Sequence, residues 1–375
     1  MYARQSIDAS DIEAIVQSLK GEFITRGPKV KEFEESLSKY CDAQYAVVMN
    51  SGSTALEACY FAADAGPADR LITTPNTFIA TISRGVDRGM TPVFSDIDRN
   101  NGSFSLEQLE YNLDFQSTRG REFIVPVHFA GIAIDMKRLS DSLKNPNSVV
   151  IEDAAHALGS LYPSGEKVGS CAYSDMTILS FHPAKTITTA EGGAVLTNDP
   201  ILYEKLISFR NNGIKRKSHW EYDCEALTGN YHFTEMQGAL GVSQMKRLPE
   251  FINKRRALVK RYRELFKDFD GIKLFTDAQD DYTAFHLMVI QIDSEKYSFD
   301  RTELIEKLKQ KNVGTQYHYI PLYRFSVLKK RFGDLEEYFP EMEKYYKEAL
   351  SLPLYYDLEL KDVDRIVETL KLILR

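Results

Sequence analysis

The run SFHPAKTITTAEGG, residues 180–193, sets Lys185 behind a histidine and a proline and ahead of hydroxylated and glycine residues. Its neighbours offer neither an apolar face nor a charge pattern, so they do not describe a solvated surface lysine. They offer hydroxyls (Ser180, Thr186, Thr188, Thr189) and close backbone approach (Gly192, Gly193). An amine that condenses with a carbonyl needs such a setting: partial desolvation to lower its pKa, and room for a planar adduct.

Three further stretches carry chemistry of their own. VVIEDAAHALGS (149–160) ends an apolar run on Glu152 and Asp153, and a carboxylate at a buried strand end needs a cationic partner. The competing role for Asp153 is a helix cap, and for His156, three residues on, capping and packing. NSGSTALEA (50–58) passes from strand to helix through small residues, with Gly52, Ser53 and Thr54 at the turn. Free N–H groups and hydroxyls at a helix start make a phosphate cradle, although Ser53 could equally be a plain N-cap. TTPNTFIAT (73–81) places Phe78 just inside the next helix, where it either covers a flat ligand or packs in the core.

Taken together these parts describe one ligand. Pyridoxal phosphate has a phosphate tail, a flat ring, a ring nitrogen best kept protonated by a carboxylate, and an aldehyde that condenses with lysine. It is the expected cofactor, with no metal required.

Such a site needs a scaffold that brings these loops to one edge. Residues 45–200 alternate short apolar runs (YAVVM, RLITT, REFIVPV, SVVIED, DMTILSF, GAVLTN) with amphipathic stretches. This rhythm predicts an α/β fold with a mainly parallel sheet covered by helices, whose ligand site lies beyond the carboxyl ends of the strands. The loops after residues 49, 74, 127, 152 and 180 are the ones that hold the unusual residues. From about 234 the texture changes to a long helical region, predicted to break at Pro249, followed by shorter strands and helices. Two domains are expected: a large ligand-binding domain over 1–245 and a smaller α+β domain over 246–375.

Bulk composition excludes other classes. The chain has 375 residues, 43% apolar and 27% charged, with a net charge of −7 that gives no basic footprint for nucleic acid. No uninterrupted apolar stretch is long enough for a bilayer, and MYARQSIDAS has no signal-type apolar core. With Cys41, Cys59, Cys171 and Cys224 far apart and no C-x-x-C pair, a cytoplasmic protein with reduced thiols is expected.

The order NSGSTAL, TTPNTFIAT, IEDAAHALGS, SFHPAKTITTAEGGAVLTND, GNYHFTEMQGALG and SLPLYYDL resembles the DegT/DnrJ/EryC1/StrS sugar-nucleotide aminotransferases over nearly the whole chain. The resemblance implies a fold-type I aminotransferase and a homodimer with active sites at the subunit interface. HPAKTITTAEGGAVLTND and QYHYIPLY look most like the pseudaminic-acid branch. Its members aminate the 4-keto carbon of a UDP-linked 4-keto-6-deoxy-N-acetylhexosamine with L-glutamate as donor.

Carried over residue by residue, Lys185 matches the Schiff-base lysine and Asp153 the acid facing the pyridine nitrogen. Gly52, Ser53, Thr54 and Ser180 match phosphate-loop positions, and Phe78 and His156 match residues that bracket the ring. Asn230 matches an asparagine that reaches the neighbouring subunit's site. Tyr2, the stretch Glu22, Phe23, Ile24 and Thr25, and the stretch Gln316, Tyr317, His318 and Tyr319 match contacts to the nucleotide sugar. Two positions depart from the pattern: His232 replaces an arginine and Arg26 a glutamine. A different 4-keto or 3-keto sugar, dTDP- or GDP-linked, is the alternative substrate. A non-catalytic binder on the same fold is the alternative class.

Overall fold

The computed structural model describes residues 1–114, 120–218, 220–297 and 299–374. Two helices, α1 (Ala9–Lys20) and α2 (Pro28–Cys41), come first. Alternation follows through β1 (Tyr45–Met49), α3 (Gly52–Ala62), β2 (Arg70–Thr73), α4 (Ala80–Asp87), β3 (Thr91–Phe94) and α5 (Leu106–Asp114). It continues through β4 (Glu122–Ile124), α6 (Met136–Ser142), β5 (Val149–Asp153), β6 (Met176–Ser180), β7 (Gly193–Thr197) and α7 (Pro200–Arg210).

The seven strands form one sheet in the order β1-β7-β6-β5-β4-β2-β3. Neighbours are parallel from β6 to β3, whereas β7 runs antiparallel to both β1 and β6. The mainly parallel sheet expected from the βαβ rhythm is therefore present, with β7 the one reversed strand. Both faces are buried, as parallel sheets require. Val47, Met49, Ile151, Ile178 and Val195 enter the core on one face. Ala46, Val48, Val150, Leu179 and Leu196 enter the core on the other.

A short hairpin, β8 (Ile214–Arg216) and β9 (Tyr222–Cys224), precedes the long helix α8 (Glu235–Phe266). Thr234 and Gln237 form a reciprocal cap at the start of α8. Contrary to the predicted break, α8 runs through Pro249. An interior proline costs about 3 kcal/mol. Burial on both sides of it offsets that cost: Leu248, Phe251 and Ile252 pack into a core of the seven-stranded sheet, and Leu258, Val259, Tyr262 and Phe266 into a second core around the strands that follow.

The chain continues as β10 (Ile272–Leu274), β11 (Met288–Ile292), α9 (Arg301–Gln310), α10 (Ser326–Phe332), α11 (Pro340–Glu348), β12 (Ala349–Leu352) and α12 (Leu360–Leu374). These three strands form an antiparallel sheet in the order β10-β11-β12. Among the described residues no helix is long and apolar enough to cross a membrane, and all four cysteines are free thiols.

Candidate active site

One cavity of about 540 Å³ opens at the carboxyl ends of the parallel strands. Its floor comes from the loops after β1 (Gly52, Ser53), β2 (Phe78, Thr81), β5 (Asp153, His156) and β6 (Ser180, Lys185). Tyr2 from the amino terminus and Gln316, Tyr317, His318 and Tyr319, which lie between α9 and α10, complete the lining. Twelve sequence-predicted residues, far apart in the chain, thus meet in one space.

The loop after β6 owes its shape to its own hydroxyls. Thr188 Oγ1 donates to the Phe181 carbonyl at 3.0 Å and Thr189 Oγ1 to the Glu191 carbonyl at 2.9 Å. The Thr188 N–H donates to Gln244 Oε1 on α8 at 3.3 Å. These bonds fix the loop, so Thr188 and Thr189 serve Lys185 through the backbone. Burial lowers the Lys185 ammonium from the ordinary lysine range to about 8, with Asp153 acting in the opposite sense.

Asp153 ends β5 and is 6% exposed. It accepts from Thr81 Oγ1 at 2.8 Å and from the Ala155 N–H at 3.2 Å. Burial raises its carboxyl, while those two bonds and Lys185 pull it back. No helix starts after it, so the capping role weighed for Asp153 reduces to the single turn bond from Ala155. Glu152 points to the opposite face, where it accepts from Tyr162 Oη at 2.7 Å, from Thr177 Oγ1 at 3.0 Å and from Ser174 Oγ. His128 accepts the Ile134 N–H on Nδ1 at 3.1 Å, which leaves Nε2–H to donate to Glu152 at 2.6 Å. Burial pushes the Glu152 carboxyl up, but these partners outweigh it and hold it below the usual range.

The turn after β1 is tightly built. Ser51, not Ser53, caps α3 by accepting the Thr54 N–H at 3.1 Å. Thr54 lies buried off the cavity wall, with its hydroxyl given to Asn50 Oδ1 at 2.7 Å. One side-chain hydroxyl of the predicted Ser53–Thr54 pair, that of Ser53, is left at the cavity. A Cβ on Gly52 would stand 3.1 Å from Ser180 Cβ, and one on Gly193 would stand 2.4 Å from the Ser51 carbonyl oxygen. Glycine at both positions keeps the β1 turn, β6 and β7 in contact at the start of α3, where a helix's first N–H groups have no partner within the helix.

Phe78 precedes α4 rather than starting it, and its ring stands 58% exposed above the cavity. His156 accepts the Ala130 N–H on Nδ1 at 3.3 Å, so Nε2–H donates to Tyr319 Oη at 3.1 Å. Burial holds this imidazole neutral, well below the usual range. Glu22, Phe23, Ile24, Thr25 and Asn230 do not line the cavity. All five are exposed; Thr25 bridges Thr234, the Glu235 N–H donates to the Ile24 carbonyl at 3.1 Å, and Asn230 bridges Asn211. Burial first, then Arg26 and Arg210, lower His232 to about 4.

Sequence reading missed Thr81, His128 and His286. Thr81 and His128 act only through acids distant in the chain, and His286 sits in FHLMVI, which reads as a core strand.

The residues present fit pyridoxal phosphate: a desolvated amine, a buried carboxylate on the same floor, and the start of α3 at a glycine turn where a Cβ would intrude. A mainly parallel seven-stranded sheet holding that set at its carboxyl edge defines a fold-type I, pyridoxal-phosphate-dependent aminotransferase. Residues 5–371 match the DegT/DnrJ/EryC1/StrS aminotransferase family, and the chain belongs to it. It is 38% identical to a UDP-4-amino-4,6-dideoxy-N-acetyl-beta-L-altrosamine transaminase of Campylobacter jejuni, over 98% of this chain and 96% of that protein. Helicobacter pylori PseC, an aminotransferase involved in the biosynthesis of pseudoaminic acid, superposes with a TM-score of 0.92 at 30% identity, covering 100% of this chain and 98% of that one. Spr1654 of Streptococcus pneumoniae, solved in a PLP form, gives a TM-score of 0.90 at 29% identity, with 100% and 98% covered.

Proposed function

We propose that the enzyme moves the amino group of L-glutamate to the 4-keto carbon of a UDP-linked 4-keto-6-deoxy-N-acetylhexosamine. The observation that carries this reading is the full-length similarity to the Campylobacter jejuni transaminase, 38% over 98% of the chain. The cavity supports it, with Tyr2, Tyr317 and His318 in the same lining as Lys185 offering aromatic faces and donors to a nucleotide.

The chain's residues divide the work. Bound pyridoxal phosphate supplies an electron sink for the carbanion formed at the reacting carbon. Lys185 would hold the cofactor and, when free, is a base of pKa about 8 suited to moving the proton at that carbon. Asp153 would keep a proton on the ring nitrogen, oriented by Thr81 and the Ala155 N–H. Gly52, Ser53 and Ser180 would hold the phosphate, with Phe78 and His156 beside the ring. Two substrates that use one floor in turn call for ping-pong kinetics.

The active form is read as a homodimer. Phe23 and Ile24 are 51% and 57% exposed, and both they and Asn230 lie outside the chain's own cavity. In the partner's cavity the 22–25 stretch and Asn230 would complete the substrate and cofactor contacts. The test of substrate is a panel of UDP-, dTDP- and GDP-linked keto sugars with glutamate as donor. The highest specificity constant is expected for the UDP-linked N-acetyl sugar; a dTDP or GDP sugar in first place would overturn the substrate and leave the aminotransferase standing.

A further inference from the structure

His286 lies just before β11. Its backbone N–H donates to the Ala130 carbonyl at 2.8 Å and its carbonyl accepts from Arg255 Nη1 at 3.3 Å, so its place is fixed. The side chain is 4% exposed, stands 4.2 Å from the His156 ring centre, and lines the same cavity as Lys185 and Asp153. Nδ1 is enclosed without a hydrogen-bond partner. Neither ring nitrogen bonds another described residue, and Nε2, which is not enclosed as Nδ1 is, is the one that meets the cavity.

Of the other histidines of the wall, His156 uses both nitrogens, whereas His318 and His182 each use Nδ1, with Ser351 Oγ at 2.8 Å and the Ala184 N–H at 3.2 Å. Nδ1 of His286 stays enclosed and unpartnered, so Nε2 is the nitrogen that a ligand can reach. The ligands of this reaction are anions, yet among the described lining residues Lys185 is the one Lys or Arg, and Lys185 is occupied with the chemistry. An amino-acid donor carries a carboxylate on the very carbon that loses its proton, so that group must come to rest beside Lys185. A 4-keto sugar has no charge there.

We infer that His286 is a substrate-binding residue that donates a hydrogen bond from Nε2 to the α-carboxylate of the amino-acid donor. The inference rests on the aminotransferase reading but not on the identity of the sugar. Burial, with His156, Lys185, Arg255 and His318 around it, keeps the imidazole neutral, so an entering carboxylate finds a donor with no competing counter-ion.

The test is the donor half-reaction of the cofactor-loaded enzyme, followed by cofactor absorbance with no sugar present. Wild type, His286→Leu and His286→Gln are compared on glutamate and on 4-aminobutyrate, which lacks the α-carboxylate. The leucine variant is expected to lose about 10- to 100-fold in specificity constant for glutamate. The glutamine variant, which keeps a donor, loses less, and 4-aminobutyrate and the sugar half-reaction are unchanged in both. Should the leucine variant not fold, His286→Asn, whose shorter amide withdraws the donor, takes its place. Equal losses on every substrate would assign His286 to packing behind His156, and no loss on glutamate would remove it from the site; either overturns the inference. A wild-type enzyme inert toward glutamate but active with another amine would instead overturn the donor named above.

Discussion

Glu152 and Asp153 are consecutive residues of one strand whose carboxylates serve opposite faces of the sheet. Glu152, with no exposed surface, is held by His128, Tyr162, Ser174 and Thr177; Asp153 faces the cavity and takes its bonds from Thr81 and Ala155. The two-residue period of a strand turns one acid into the core and its neighbour toward the cavity.

Substituting each acid separates these roles. Asp153→Asn is expected to keep the melting temperature and lose at least about 100-fold in turnover, the scale for a preorganised charge. Glu152→Ala is expected to destabilise by several kcal/mol, because it leaves the donors of His128, Tyr162, Ser174 and Thr177 without their acceptor, at about 1–3 kcal/mol for each that finds no other. Turnover per folded molecule then stays near normal. Thermal melts and single-turnover rates on both variants check the pair.

Gly52→Ala pushes a methyl to 3.1 Å from Ser180 Cβ. Crowding of this size costs about 1–3 kcal/mol, so cofactor affinity should fall about tenfold or more. Ser180→Gly added to it should relieve the crowding without restoring the affinity, because it also removes a hydroxyl that would hold the phosphate. Cofactor titration of the three apo-proteins measures this directly.

The Lys185 amine, lowered to about 8 by burial, sets a pH dependence for cofactor capture by the apo-protein. Only the neutral amine condenses, so the rate should rise about tenfold per pH unit up to that midpoint and level off above it. A rate still climbing at pH 10 would describe an ordinary exposed lysine.

The dimer predicts complementation. Chains carrying Asn230→Ala mixed with chains carrying Lys185→Ala should regain activity, because one interface site then has both residues intact. Full activity in a monomer at assay concentration would contradict the shared site.

Much of this was legible beforehand because the decisive residues sit next to their own strands. Apolar runs ending in a glycine turn, an acid pair or a lysine loop give both the sheet and the edge where a ligand lies. What was hidden depends on distance in the chain. Nothing local to Pro249 says that two separate cores bury α8 on either side of it. The capping geometry that makes Ser51 the cap and turns Thr54 inward is decided by Asn50 and the packing of α3. His286 reads as part of a core strand until the fold brings it against His156.

The most direct test of Lys185 as the reacting amine uses the two half-reactions in sequence. Glutamate alone should convert the cofactor of the wild-type enzyme to its amine form with one 2-oxoglutarate released per site. The UDP-linked 4-keto sugar should then return it to the starting spectrum with one amino sugar formed. Lys185→Ala should bind the cofactor, fold normally and do neither. A Lys185→Ala enzyme that released 2-oxoglutarate at the wild-type rate would contradict the assignment.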